Sequence, residues 1–140
     1  MKQINNQTPT VHLSTYDNSG KCYPVDKKHK SVENICVAVK FGDTIIKISS
    51  KDLCECDFNE AIEKHSEELM SPVFWQIIGV VQTDVAKALK MLGHDELKAC
   101  WTYSGYFSLY AWIYDGNYGG MDKYYKDTSR SVRPAQAFQL

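Results

Sequence analysis

The last forty residues constrain this chain most, because positions 101–140 hold 11 of its 17 aromatic residues. Gly105, Gly116, Gly119 and Gly120 punctuate the stretch, so the backbone must turn several times between short extended pieces. The pattern predicts strands near 100–104, 110–115, 120–123 and 131–138. So many large rings on so interrupted a backbone require small β-structure packed on other elements.

Those other elements are legible upstream. Two β-branched runs in Asn34–Ser49 flank Gly42-Asp43 and predict a hairpin. Asp57 with Glu60 three residues on fits a capping box, and Phe58, Ala61, Ile62, His65 and Leu69 follow at helical spacing, which predicts a helix over 58–68. Ser71-Pro72 predicts a second, short buried helix through Val73, Trp75, Ile77 and Ile78. Thr83 and Asp84 are candidate caps of a third, in which Val85, Ala88, Leu89 and Leu92 share a face and Gly93 supplies the exit. Residues 1–21 are rich in Asn, Gln, Thr and Ser and read as a polar arm or a single edge strand ahead of one domain over 22–140. A hairpin, then helices, then several strands indicate an α+β fold with helices packed on an antiparallel sheet.

Composition removes several function classes. With 16 basic and 17 acidic residues the net charge is −1, which offers no general attraction to nucleic acid or anionic lipid. No apolar run reaches the roughly 18 residues of a membrane span, and the first residues lack the apolar stretch of a signal peptide. The five cysteines, Cys22, Cys36, Cys54, Cys56 and Cys100, are odd in number and irregular in spacing, so reduced thiols are expected. Cys54-x-Cys56 is too tight for a usual zinc pair and reads as two incidental thiols, and His65 reads as a boundary residue of its helix. Lys123-Tyr124-Tyr125-Lys126 with Arg130 and Arg133 could contact single-stranded nucleic acid, but six such residues on a neutral chain are a weak signal.

The chemistry of the C-terminal segment is that of a recognition surface. Between Ala111-Trp112 and Val132-Phe138 the side chains are Tyr, Asp, Asn, Lys, Ser, Thr and Arg on a Gly-rich backbone. Antibody paratopes use the same set: Tyr gives rigid amphipathic area at small entropy cost, and short polar residues adapt their hydrogen bonds. The competing reading is that these tyrosines half-bury their rings and leave their hydroxyls wet. Trp101 and Trp112 are read as core, and Arg133, before Pro134, as a donor to backbone carbonyls that orients the last strand.

The pattern Cys-Trp-Thr-Tyr-Ser-Gly-Tyr (100–106), Tyr-Ala-Trp (110–112) and Ser-Val-Arg-Pro-Ala-Gln-Ala-Phe (131–138) resembles the C-terminus of a large group of C-type-lectin-like domains abundant in gut Bacteroidetes and their phages. Upstream, Lys-Asp-Leu (51–53), Pro-Val-Phe-Trp (72–75) and an Ala-Leu-x-x-Leu-Gly helix end (88–93) agree in order, so the resemblance covers roughly residues 33–138. It implies a C-type lectin fold, with two or three helices flanking a small twisted antiparallel sheet. Some members look like the variable proteins of diversity-generating retroelements, whose last segment changes to alter the ligand. That resemblance places the ligand-facing positions at Tyr103, Tyr106, Phe107, Leu109, Tyr110, Ile113, Tyr114, Asp115, Asn117, Tyr118, Asp122, Tyr124, Tyr125, Asp127, Thr128, Ser129 and Arg130. The Glu-Pro-Asn, Gln-Pro-Asp and Trp-Asn-Asp ligands of calcium-dependent sugar-binding members are absent here, and Cys100 is the only late cysteine where related formylglycine-generating enzymes use a pair.

The expectation is therefore a non-enzymatic ligand-binding protein with no catalytic residue, metal or cofactor. Its partner is a macromolecule, protein or glycan, and not nucleic acid. The residues assign no location, and the resemblance alone admits a virion or cell-surface setting. Self-association stays open, because the alternative is a structural or assembly module of a phage tail or surface fibre in which the same face packs on a neighbouring subunit.

Overall fold

The computed structural model describes residues 11–25 and 34–139. In chain order the strands and helices are β1 (Val11–Asp17), β2 (Cys22–Pro24), β3 (Asn34–Phe41), β4 (Thr44–Ser49), β5 (Cys54–Cys56), α1 (Phe58–His65), α2 (Pro72–Val80), α3 (Gln82–Met91), β6 (Ala99–Tyr106), β7 (Tyr110–Asp115), β8 (Gly120–Tyr125), β9 (Arg130–Val132) and β10 (Ala135–Gln139). A 3-10 turn, Ser66–Glu68, follows α1. The α+β class holds. The strands form two five-stranded sheets where the sequence suggested one: β10-β4-β3-β1-β2 is antiparallel, and β5-β9-β6-β7-β8 is antiparallel except for the parallel contact of β6 with β9.

The β3–β4 hairpin closes at Gly42, whose φ of +58° is the left-handed region that glycine tolerates. Its register sets Val37 opposite Ile48 and Val39 opposite Ile46, and all four are fully buried as one cross-strand quartet. The expected arm 1–21 divides. Residues 1–10 lie outside the described residues, whereas β1 has β3 on one side and β2 on the other, so it is an inner strand. Thr15, fully buried, donates its hydroxyl to Cys36 O at 2.8 Å and so fixes that position.

The helices follow their local signals with two differences. Asp57 caps α1 by accepting from Glu60 N at 2.8 Å, but the Glu60 carboxylate runs forward to Lys64 at 3.1 Å instead of returning to the cap. Ser71 caps α2, with Pro72 in its first turn. The third helix begins at Gln82, with Val81 at the cap, so Thr83 and Asp84 lie inside it. Gln82 starts it early because its amide reaches into the second sheet, donating to Gly116 O and accepting from the Tyr114 hydroxyl. Gly93 takes φ +71° at the exit, where His94 N bonds Leu89 O at 2.9 Å.

Two cores result. The larger joins the β3–β4 quartet to Trp75, Ile78, Val85, Ala88 and Leu89 of the helices and to Cys100 and Tyr114 of the second sheet. The smaller sets Phe58, Ala61 and Leu69 against Trp101, Ala111, Ile113 and Val132. The middle of the second sheet is therefore covered on both faces, with neighbouring residues such as Ile113 and Tyr114 pointing into different cores.

The predicted strand 131–138 is broken in two. β9 belongs to the second sheet and β10 to the first, and the chain crosses between them at Arg133-Pro134. Arg133, 1% exposed, holds the crossing as expected: Nε donates to Ser49 O at 2.7 Å, Nη2 to Asp95 O at 2.9 Å and Nη1 to Glu96 O at 3.2 Å. Nη1 also lies 3.5 Å from the Asp52 carboxylate.

Candidate functional site: an aromatic platform on the second sheet

In an antiparallel pair, directly opposed residues share a face. The β6–β7–β8 register opposes Tyr106 to Tyr110 and Tyr110 to Tyr125, and next to them Trp112 to Lys123. These five side chains stand on the face that, two residues on, carries Tyr114 and Met121 into the larger core. Tyr114 marks where the core ends and the open platform begins.

The platform residues hold one another. The Tyr106 ring meets Trp112 edge-on at 5.2 Å and Phe107 at 4.6 Å, and Tyr110 lies against Tyr125 at 4.8 Å. Lys123 Nζ sits 4.3 Å from the Tyr106 ring centre and 5.7 Å from that of Trp112. Such contacts are worth about 0.5–1.5 kcal/mol for a ring pair and about 0.5–1 kcal/mol for an exposed cation over a ring. More important is preorganisation: each rotamer fixed in advance spares about 0.5–1.5 kcal/mol of ordering on association. A hydrogen bond with Tyr125 holds the Tyr110 phenol above its usual range, so the Tyr110 hydroxyl stays neutral at physiological pH.

The β6–β7 turn borders the platform with exposed apolar groups. Phe107 is 78% exposed and Leu109 62%. Phe107 takes φ +56°, a left-handed conformation that costs a non-glycine residue about 1 kcal/mol or more. Lys126 N donates to Leu109 O at 2.9 Å and ties the turn to the segment after β8, where Asp127 and Ser129 are exposed.

The predicted ligand-facing set does not form one surface. Tyr106, Phe107, Leu109, Tyr110 and Tyr125 come together at the platform and its turn. Tyr124 and Asp122 point from the opposite face of β8; Tyr124 packs on the smaller core, and the Arg130 guanidinium lies 4.1 Å over its ring. Asp115, the last residue of β7, and Asn117 and Tyr118 of the β7–β8 turn lie at the other end of the strand, with Asp115 about 17 Å from Tyr110 at 3.4 Å per residue. There Asp115 accepts from Asn117 N at 2.9 Å. Tyr103, 54% exposed, sits at the irregularity in β6, with its N–H bonded to Met70 O. Thr128 spends its hydroxyl on Tyr125 O at 2.7 Å.

Ile113 and Tyr114 are corrections, since both are fully buried. Ile113 fills the smaller core and Tyr114 stacks on Trp75 at 4.8 Å, where burial pushes its phenol well above the usual range. Trp112 is a correction in the other direction, half-buried on the platform where core was expected. Trp101 is core, as expected, and donates its indole N–H to Cys56 O at 2.8 Å. Sequence reasoning missed Trp112 and Lys123 as site residues. The signal was the period of two running from Tyr110 to Trp112, combined with the pairing of β7 and β8.

Away from the platform, a cleft of about 420 Å³ between α3 and the segment before β6 is lined by Gln82, Leu89, Lys90, His94, Glu96 and Leu97, among others. Among the described residues there is no cluster of three His, Cys, Asp or Glu side chains able to hold a metal ion, and no helix long and apolar enough to cross a membrane. Compared with known proteins, the chain matches no family model, and no curated protein sequence matches it.

Proposed function

We propose that this chain is a non-enzymatic ligand-binding domain of C-type-lectin-like fold that recognises a macromolecular partner, protein or glycan, through the aromatic platform. One observation carries the reading: Tyr106, Phe107, Tyr110, Trp112 and Tyr125 share a solvent-facing surface with Lys123, their rings locked against one another outside both cores. Rings held in this way offer apolar contact at little entropic cost, and the phenol hydroxyls and Lys123 supply direction. The likeness of the segment 100–138 to the variable proteins of diversity-generating retroelements agrees with this use of the face.

The experiment is a combined glycan and cell-surface protein array probed with the native chain and with a Trp112→Ala/Tyr125→Ala double variant. The reading requires features bound by the native chain and lost in the folded double variant. Equal labelling by both proteins would reject the platform as the binding face.

A second reading is favoured by the exposed apolar turn at Phe107 and Leu109, which suits packing on a neighbouring subunit of a tail or fibre. Sedimentation analysis separates the two: a stable oligomer that Phe107→Ser dissociates supports assembly, and a monomer with a free face supports recognition.

A further inference from the structure

The one place among the described residues where a thiol meets an imidazole is remote from the platform. Cys54 Sγ lies 3.6 Å from His65 Nε2, with Cys54 on β5 and His65 the last residue of α1. Residues i and i+2 of a strand share a face, so Cys56 stands beside Cys54, and both line the smaller core. The other cysteines differ. Cys36 and Cys100 are buried and Cys22 is exposed, whereas Cys54 is half-buried at the rim.

We propose that Cys54 is a nucleophilic thiol, with His65 as the base that takes its proton, forming a modification site for small disulfides. The proton of the Cys54 thiol passes to His65 Nε2 as the sulfur attacks one sulfur of the disulfide. A new S–S bond forms to Cys54 while the reagent's own S–S bond breaks. The other half of the reagent departs as a thiolate, and the proton on His65 passes to it or, when the leaving thiol is as acidic as an aromatic one, to solvent, so Cys54 is oxidised and half of the reagent is reduced. His65 lies in the last turn of α1, where the helix dipole favours the imidazolium that exists during the step.

Cys56 assists without competing. Burial first, then the charge of Cys54 and a hydrogen bond with it, push the Cys56 thiol up to about 12, and Glu60 and Asp57 add to the shift. It keeps its proton and can donate it toward the Cys54 sulfur as negative charge gathers there. This arrangement separates the roles of two cysteines that the sequence offers as equals.

The test uses the native chain and the aromatic disulfide dithiobis(nitrobenzoate), with peptide mass spectrometry to locate the adduct. Cys54 should be labelled about tenfold faster than the exposed Cys22, a modest share of what a positioned base supplies. His65→Asn, with a native circular-dichroism spectrum, should slow Cys54 by a similar factor and leave Cys22 unchanged. The proposal is overturned if Cys22 takes the label first in the native chain, or if Cys54 reacts as fast without His65. Should His65→Asn not fold, the competition between Cys54 and Cys22 in the native chain decides alone.

Discussion

Replacing Arg133 with Met tests what joins the two sheets. The substitution keeps most of the buried stem and removes every donor, leaving the carbonyls of Ser49, Asp95 and Glu96 and the Asp52 carboxylate without their guanidinium. A hydrogen bond to a charged donor is worth about 1.5–3 kcal/mol. Part of that is returned because a buried cation no longer has to be desolvated, so the expected loss is about 4 kcal/mol, within the roughly 3–5 kcal/mol for removing one partner of a buried charged network. The control is Asp52→Asn. Burial outweighs the pull of Arg133 and raises the Asp52 carboxyl above its usual range, so its charge adds little, and that variant should lose less than about 1 kcal/mol. Urea unfolding followed by tryptophan emission reads both, since Trp75 and Trp101 are fully buried and shift red on exposure. With a slope of about 2 kcal/mol per molar, Arg133→Met should lower the midpoint by about 2 M. A loss below about 1 kcal/mol, or an equal loss in Asp52→Asn, would refute the view that the guanidinium acts by satisfying backbone carbonyls.

Three further outcomes follow from local geometry. Gly116→Ala would place a methyl group inside the Leu97 backbone, so thermal unfolding should show a loss of about 2–3 kcal/mol. Phe107→Gly removes a ring contact worth about 1 kcal/mol but relieves a left-handed φ of similar cost, so stability should change by less than about 1 kcal/mol while ligand binding weakens. Asp17 accepts bonds from Ser19 and Lys21, and the Ser19 hydroxyl chiefly holds its carboxyl below the usual range. Its contribution is therefore present above the unfolded value of about 3.9 and is lost as pH falls through the lower folded one. The Ser19 and Lys21 amide resonances should shift together in that acid window, and a midpoint at the unfolded value would contradict the assignment.

Local chemistry made much of this fold legible. The β3–β4 hairpin followed from Gly42 between β-branched runs, the starts of α1 and α2 from Asp57 and Ser71-Pro72, and the end of α3 from Gly93. What escaped is tertiary. Nothing near Ile113 and Tyr114 in sequence announces that α1 covers one face of their sheet and α2 the other, and a period of two cannot say where covering stops. The break at Arg133-Pro134 was hidden because the β-branched and apolar residues on both sides suit a continuous strand, and the carbonyls that make the break favourable come from positions 49, 95 and 96. The pairing of Trp112 with Lys123 needed the β7–β8 register, and the meeting of Cys54 with His65 needed α1 laid over β5.

The most direct measurement compares the two ends of the second sheet in one binding assay. With the partner found by array immobilised, calorimetry or surface resonance would rank Trp112→Ala and Tyr125→Ala against Tyr118→Ala and Asn117→Ala. Recognition through the platform predicts that the first pair weakens binding at least about fivefold, corresponding to about 1 kcal/mol each, while the second pair changes it less than about twofold. A partner that releases when Tyr118 or Asn117 is truncated, yet tolerates the loss of Trp112 and Tyr125, would place the binding face at the opposite turn and contradict the account.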